Sequence, residues 1–536
     1  MAYIIKQKVY GRDYYYLRKS LRVNGKVVSK NLGYLGKTKS EAVKKAKEIL
    51  KNMSDEIKVE LEKINMSIEE LAVFCKKRGF VYQSADLYGG FAGFWDFGNL
   101  GAELKKNIKN SWWNKHVRER DDIVGIDGSI ITHPDVWKAS GHLESFTDYI
   151  VKNIKSKEVF KVDLHELENY KKDPKYEVVG EFRPMFETNV GPHKNHLSYL
   201  RPETAQLIFT NLKLVYENER LKFPFGIAQI GKAFRNEIAP REFLFRSREF
   251  EQMEIEYFIR DKMKCSYKIS DLKIRIINSD GKEDIMKINE ALKKKVFKVD
   301  WHAYWLGQEL MWFKDLGCNL DNFRLRQHTK KELAHYSSDC WDLEYKFPFG
   351  WRELEGIADR GNHDLASHEK ASKKDLKVFD EDSKEKIIAN VVAEPSLGVE
   401  RAFLVFMFEA LYKNKKGETV LKLDPRLAPI KAAVFPIVKK VEFESVAQNV
   451  INDLKKEFNV KYDRSGSIGR RYARNDEVGT PYCITIDGDS LLKKDVTIRD
   501  RDTTKQIRVK TKDLRDVLRK LILGEIEFSN VGRQVR

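Results

Sequence analysis

Residues 223–258 read FPFGIAQIGKAFRNEIAPREFLFRSREFEQMEIEYF. Two runs of β-forming residues flank a loop around Ala239 to Phe245, so the stretch reads as a pair of strands. At a period of two, Arg235 and Glu237 fall on one face of the first strand, and Arg248, Phe250, Gln252 and Glu254 on one face of the second. A half-buried strand pair by default turns such a charged face to solvent. The mixture of Arg, Phe and Glu also suits a nucleotide: guanidinium on phosphate, ring on base, carboxylate on an amino group. Pattern alone leaves both readings open.

Further stretches share this character. In AEPSLGVERAFLVFMFEALY (393–412), Pro395, Ser396 and Gly398 precede a helix that is apolar nearly all round, hence a buried core helix. Burial leaves Arg401 unexplained, because an arginine in the first turn of a buried helix needs an anionic partner, and a helix N-terminus itself favours phosphate. In ETNVGPHKNHLSYLRPETAQ (187–206), Pro202 and Glu203 on their own would mark an ordinary helix start. GWRELEGIADRGNHDLASH (350–368) and, further upstream, YGGFAGFWDFGNLGAELKKNIKNSWW (88–113) with GSIITHPDVWKASGH (128–142) complete the set. Simple packing accounts for most of the Gly and Trp positions in the upstream pair.

These blocks, in this order, resemble the class II aminoacyl-tRNA synthetases, and specifically the glycyl enzymes of the homodimeric archaeal/eukaryotic-like type. FRNE with REF and QMEIEYF resembles motif 2, EPSLGVER resembles motif 3, and residues 88–142 resemble motif 1, used for dimerisation, with Pro134 as its proline. The resemblance implies ATP and glycine as substrates. Arg235 would bind the α-phosphate and the glycine carboxylate, and Glu237 the adenine amino group; Phe250 would stack on adenine, with Arg246 near the outer phosphates and Arg401 on the γ-phosphate. Asn236, Phe245, Glu353 and Leu354 would complete the ATP site, with Mg²⁺ held by Glu353 and Glu394. Glu203, Glu254 and Glu394 with Ser396 would surround the glycine ammonium. Lys161 replaces a family arginine associated with substrate, in Lys161-Val162-Asp163-Leu164 where Arg-Ala-Asp-His is usual, so charge is kept and a bidentate grip lost. Gly98-Asn99-Leu100-Gly101 likewise replaces Gly-Pro-Leu-Gly.

The implied architecture is multidomain, α/β and α+β. A class II catalytic domain, an antiparallel sheet flanked by helices, spans 64–427, with an insertion at about 260–300 that carries a hairpin and reads as a separate subdomain. Beyond Pro425 the alternating strands and amphipathic helices of 428–536 resemble the α/β anticodon-binding domain shared by glycyl, histidyl, threonyl and prolyl enzymes. There Arg470, Arg471, Arg474, Arg499 and Arg501 read either as an RNA-binding cluster or as a basic face paired to acids such as Asp476 and Asp500.

Residues 1–55 form a third unit. YIIKQKVYGRDYYYLRKSLRVNGKVVSKNLGYLG reads as three short strands with turns at Gly11-Arg12-Asp13 and Asn24-Gly25, followed by a lysine-rich helix from Thr38 or Ser40 to about Asn52. Residues 1–52 hold fourteen Lys/Arg against three Asp/Glu and supply +11 of the chain's +18. Such a basic module with interleaved tyrosines reads as nucleic-acid contact or as a minimal tyrosine core under solvating lysines. It bears a weak resemblance to small basic domains at the front of mobile-element and integrase-type proteins.

The remaining composition is bland. Five scattered cysteines form no CxxC pair and suggest neither disulfides nor zinc, and no apolar run reaches membrane-span length. The expectation is a cytoplasmic ligase that activates glycine with ATP and transfers it to tRNA(Gly), as a homodimer away from membranes. A synthetase for another small amino acid such as threonine, proline or serine is the nearest alternative. A synthetase-like RNA-binding protein without activity would have lost the arginines and glutamates that are present here.

Overall fold

The computed structural model describes residues 61–535 apart from 146–147, 163, 193–195 and 334–336, together with three strands and the start of a helix in the first sixty residues. Those strands, β1 (Ala2–Val9), β2 (Arg12–Val23) and β3 (Lys26–Gly36), form one antiparallel sheet in that order. Val9 stands opposite Arg12 and Val23 opposite Lys26, so Arg12 and Asp13 belong to β2 and not to the expected first turn, while Gly11 and the expected turn at Asn24-Gly25 lie outside the described residues. The strands are longer than the sequence suggests. Residues 41–43 and 45 are helical, with the Thr38 carbonyl accepting from the Ala42 N–H at 3.0 Å and its hydroxyl from the Glu41 N–H at 3.3 Å. The expected extension of this helix to Asn52 lies outside the described residues.

The centre of the molecule is a nine-stranded sheet. Its strands are β4 (Ile123–Ile126), β5 (Phe225–Phe234), β6 (Glu249–Ile259), β7 (Lys273–Ile277), β8 (Glu283–Lys287), β9 (Phe323–Gln327), β10 (Asp339–Phe347), β11 (Gly350–Asp359) and β12 (Asn390–Gly398), in the order β8-β7-β9-β10-β11-β12-β6-β5-β4. Pairing is antiparallel except between β5 and β4 and between β7 and β9. The hairpin β7–β8 does not stand apart as a subdomain. It extends this sheet, and Ile274, Ile276 and Met286 enter the main core, because alternation gives each strand one apolar face to bury there.

Helices α1 (Asn99–Trp113), α3 (Asp300–Asp315) and α5 (Val399–Ala410) pack into that core, α3 with Trp301, Trp305 and Trp312 and α5 with an uninterrupted run from Ala402 to Phe408. On the other side, α2 (Ala205–Glu219) and α4 (His363–Ser372) cover Phe225, Ile227, Phe258 and Val391. One part of that second face stays open, and it carries the candidate site.

The C-terminal region has its own core around a six-stranded sheet. Strands β13 (Ala432–Pro436), β14 (Val460–Tyr462), β15 (Tyr482–Ile486), β16 (Asp495–Asp500), β17 (Gln506–Lys510) and β18 (Arg533–Gln534) run in the order β14-β13-β15-β16-β17-β18. Helices α6 (Val441–Leu454) and α8 (Leu514–Leu523) supply apolar faces to it, and α7 (Ile468–Asp476) carries Arg470, Arg471 and Arg474.

Candidate active site

Alternation along β6 builds the floor of the site. Phe250, Gln252, Glu254 and Glu256 share one face, while Met253, Ile255 and Tyr257 enter the core on the other. Glu394 and Ser396 stand at alternate positions of β12, and the register sets Ser396 opposite Glu254. β5 ends at Phe234, three residues short of the Glu237 that the alternation placed in the strand, so Arg235 and Glu237 belong to the loop that follows. That loop is fixed by its backbone: the Arg235 N–H donates to the Arg248 carbonyl at 2.9 Å, and Arg248 Nη2 donates to the Glu237 carbonyl at 2.7 Å.

Together these elements enclose a cleft of about 490 Å³. Arg235, Glu237, Phe245, Arg246, Phe250, Glu353, Leu354, Arg401, Glu203, Glu254, Glu394 and Ser396 all line it. Two expected residues are placed differently. Asn236 is not in the cleft wall; its N–H donates to the Pro184 carbonyl at 2.7 Å. Lys161 stands in the strand Val159–Val162, and its side chain lies outside the described residues.

The cleft has two chemically distinct ends. At one end are arginines and aromatic rings. The Arg235 guanidinium lies 5.5 Å from the centroid of Phe250, with Nε donating to the Pro202 carbonyl at 2.9 Å. Arg401 projects from the first turn of α5, stacks 4.5 Å over Phe245 and donates through Nη1 to the Glu353 carbonyl at 3.0 Å. Its charge, 3.4 Å from Glu353 Oε1, holds that carboxyl below its ordinary value. Phe245 in turn is wedged edge-on against Phe347 and Phe349.

At the other end are buried carboxylates. Glu254 accepts from the Ser396 hydroxyl at 2.7 Å and from the Thr204 hydroxyl, and Glu394 accepts from Arg360 Nη1 at 2.9 Å. Oxygens of Glu254, Glu256 and Glu394 lie within 4.8 Å of one another. Burial among like charges pushes Glu394 up to about 8 and raises Glu254 and Glu256 as well. Neither oxygen of Glu256 has a hydrogen-bond partner among the described residues. Glu203 goes the other way. Burial alone would raise it, but His142, 3.3 Å away, and the Arg360 charge bring it well below the usual carboxylate range. Arg360 is largely spoken for by a bidentate pair with Asp364, at 2.8 and 2.9 Å. This end therefore gathers more carboxyl groups than its one arginine can balance, so they retain protons that a small cation would displace.

Several residues that matter here carried no assigned role in the sequence. Arg201 is buried and donates to the carbonyls of Gly128 and Lys232 and to Gln229, at 2.7–2.8 Å, so it fixes the Pro202-Glu203-Thr204 turn. A Cβ on Gly231 would lie 2.0 Å from its Nη2, so only glycine lets this strut through. Arg360 sits inside a recognisable block, yet nothing in that block separates a ligand from a strut. Gln252 shares the strand face already noted and reaches Ser396 at 3.1 Å. His328, Cys340 and Asp342 also meet in the cleft wall, with His328 Nε2 2.7 Å from Asp342 Oδ1. His328 follows β9 while Cys340 and Asp342 lie in β10, and the pairing of these two strands brings them together.

A divalent ion on a nucleotide needs oxygen donors beside the phosphates. Glu353 fits, since its side chain is half exposed next to Arg401. Glu394 stands opposite Ala358, five residues along β11 from Glu353, and both line the cleft.

Residues 431–521 match the family described as anticodon binding domain. Curated relatives described as glycine–tRNA ligase match far more of the chain. The protein from Treponema denticola is 40% identical over 470 residues, covering 85% of this chain and 97% of the relative. That from Corynebacterium efficiens is 41% identical over 490 residues, covering 85% and 98%. Among solved structures, prolyl-tRNA synthetase from Cryptosporidium parvum complexed with L-proline and AMP superposes with a TM-score of 0.53 at 14% identity, covering 87% of this chain and 80% of that one, and so shares the class II synthetase fold. Among the described residues no helix is long and apolar enough to cross a membrane.

Proposed function

The chain belongs to the glycine–tRNA ligases, aminoacyl-tRNA synthetases of class II, and we propose that the two ends of the cleft divide the work, the arginine–aromatic end holding ATP and the carboxylate end selecting glycine. The observation that supports this reading is the placement of Arg235, next to Phe250 on one side and bonded on the other to the carbonyl of Pro202, the residue before Glu203. A base stacked on Phe250 puts its phosphates over Arg235, folding the nucleotide back on itself. The same guanidinium then reaches the glycine carboxylate, which attacks the α-phosphorus in line; glycyl-adenylate forms and pyrophosphate leaves. Arg235 stabilises the charge that grows on the α-phosphoryl oxygens. Arg401 and Arg246 hold the outer phosphates, so the leaving group departs along a fixed line. Glu237 accepts from the adenine amino group. A terminal ribose hydroxyl of tRNA(Gly) then takes the glycyl group, and no protein nucleophile takes part.

Selection of glycine rests on the carboxylates. Glu203, Glu254 and Glu394, with Ser396, grip the ammonium from several sides, and closing them around it leaves no room for a substituent on Cα. Excluding larger amino acids by volume makes an editing step unnecessary. Mg²⁺ bound through Glu353 would neutralise phosphate charge. The homodimer expected from residues 88–142 would be built around the exposed Tyr88 and Phe91. A cytoplasmic location completes the reading.

Amino-acid-dependent pyrophosphate exchange tests the proposal. Glycine is expected to support exchange, while alanine, proline, serine and threonine do not. Preferential activation of alanine or proline would sink the assignment of the carboxylate end.

A further inference from the structure

The relatives are spanned to 97–98% of their length, yet roughly a seventh of this chain stays outside the match, enough to hold the whole N-terminal sheet. That sheet has two unlike faces. On β2, Arg12, Tyr14, Tyr16, Arg18 and Arg22 occupy alternate positions and so share one face. The register adds Tyr3 from β1, opposite Arg18, and Tyr34 and Asn31 from β3, opposite Tyr16 and Arg18. The Tyr34 ring lies 5.4 Å from Tyr16 and 6.2 Å from Tyr14, and Tyr34 is 44% exposed. The alternate register gives the other face Ile4 opposite Leu17 and Val28 opposite Leu21. That apolar row is the natural side for the helical residues 41–43, where Ala42 is buried. The aliphatic pairs thus lie at positions opposite in face to Tyr14, Tyr16 and Tyr34, interleaved there with Lys6, Tyr15 and Lys19, while Ile5 and Val9 fall at positions of the tyrosine face.

We propose that the tyrosine–arginine face of the N-terminal sheet is an RNA-binding surface that grips the tRNA this enzyme charges. The proposal rests on the ligase reading, since that activity brings tRNA to the chain. Arginines at two-residue spacing match successive phosphates of an extended strand, and the tyrosine cluster between them offers faces on which unpaired bases stack. RNA is favoured over a protein partner by charge, because residues 1–52 carry a net +11 and a phosphate backbone is the matching polyanion. Being tethered to the catalytic body, even a weak contact raises affinity for the whole tRNA through effective concentration.

The test uses the full-length chain and a tRNA transcript with a glycine anticodon. Filter binding from 50 to 200 mM KCl is compared between wild type and the triple variant Arg12→Gln, Arg18→Gln, Arg22→Gln. Affinity is expected to fall about tenfold at low salt, with a salt slope shallower by about 2, as three single-strand phosphate contacts imply. Glycine-dependent pyrophosphate exchange should be unchanged in the same preparation, which separates failure here from failure of the ligase reading. Triple Lys substitution at the same positions should keep the slope. Tyr16→Phe should bind as wild type and Tyr16→Leu about tenfold more weakly. Wild-type affinity and slope in the Gln variant, or tighter binding of a DNA duplex than of tRNA by the intact chain, overturns the proposal.

Discussion

The cleft and the C-terminal domain both present clustered arginines in sequence, and they use them in opposite ways. In the cleft, Arg235, Arg246 and Arg401 line an open volume, with Arg235 and Arg401 against the rings of Phe250 and Phe245. In the C-terminal domain three of the five candidate arginines are struts. Arg499 makes a bidentate pair with Asp476 at 2.8 and 2.9 Å, Arg501 donates to the carbonyls of Gly479 and Leu423, and Arg471 donates to those of Pro436 and Gly466. All three are buried. Only Arg470 is exposed, while Arg474 is half-buried beside Asp463. Arginine clustering alone therefore does not identify an RNA surface; what separates the two uses is whether local carbonyls and carboxylates already saturate the guanidinium.

That contrast breaks most sharply on paired substitutions. Arg235→Ala is expected to lower glycine-dependent pyrophosphate exchange by about three orders of magnitude, as loss of a charge-stabilising donor in a transition state does, while leaving the unfolding midpoint in place. Arg499→Ala is expected to do the reverse. Removing it strands Asp476 in the interior at a cost of about 3–5 kcal/mol, read by urea unfolding, with exchange retained at low temperature. If both variants lose activity and stability together, the two sets are not distinct.

Much of the molecule was legible because its signals are local. Alternation in 249–259 put Phe250, Gln252 and Glu254 on one face, and the apolar run after Gly398 marked a buried helix with Arg401 in its first turn. What stayed hidden depends on register between distant segments. Nothing in RPET shows that Arg201 threads past Gly231, and nothing in DCWD shows that Cys340 and Asp342 meet His328. The hairpin at 273–287 looked like an insertion because its strands are short and charged, yet pairing through β7 with β9 makes it part of the main sheet.

A smaller effect sharpens the comparison from the carboxylate end. Glu394, raised to about 8 by burial beside Glu254 and Glu203, holds a proton below that pH and must lose it to meet an ammonium. The KM for glycine should therefore fall about 25-fold as pH rises from 6.5 to 8.5, steeply up to about 8 and levelling off above it. Glu394→Gln should raise KM at every pH and flatten the profile. The same raised value has a cost for the empty enzyme. The folded state binds a proton more tightly than the unfolded chain, so this group's contribution to stability is present below its unfolded value and is lost as pH rises through 8. A glycine KM independent of pH across this window would remove Glu394 from the ammonium site.

The smallest expected effect belongs to Arg470, and it decides whether any of the five C-terminal arginines faces RNA. Arg470 opens α7 on the surface and shares a shallow groove with Lys416, Ser467 and Arg474. A guanidinium at a helix start opposes the helix dipole, so it adds nothing to the helix itself, and an exposed cation there is better placed to meet phosphate than to support the fold. Arg470→Ala should leave the unfolding midpoint unchanged, weaken tRNA binding about three- to fivefold and reduce the salt slope by about 1, with pyrophosphate exchange untouched. Arg471→Ala, one residue along the same helix, should show the opposite pattern, losing stability before binding, because its three donors are committed to carbonyls of its own domain. Adjacent positions separating in this way would show that the anticodon-binding domain divides its arginines by the direction of the helix face and not by their place in the sequence.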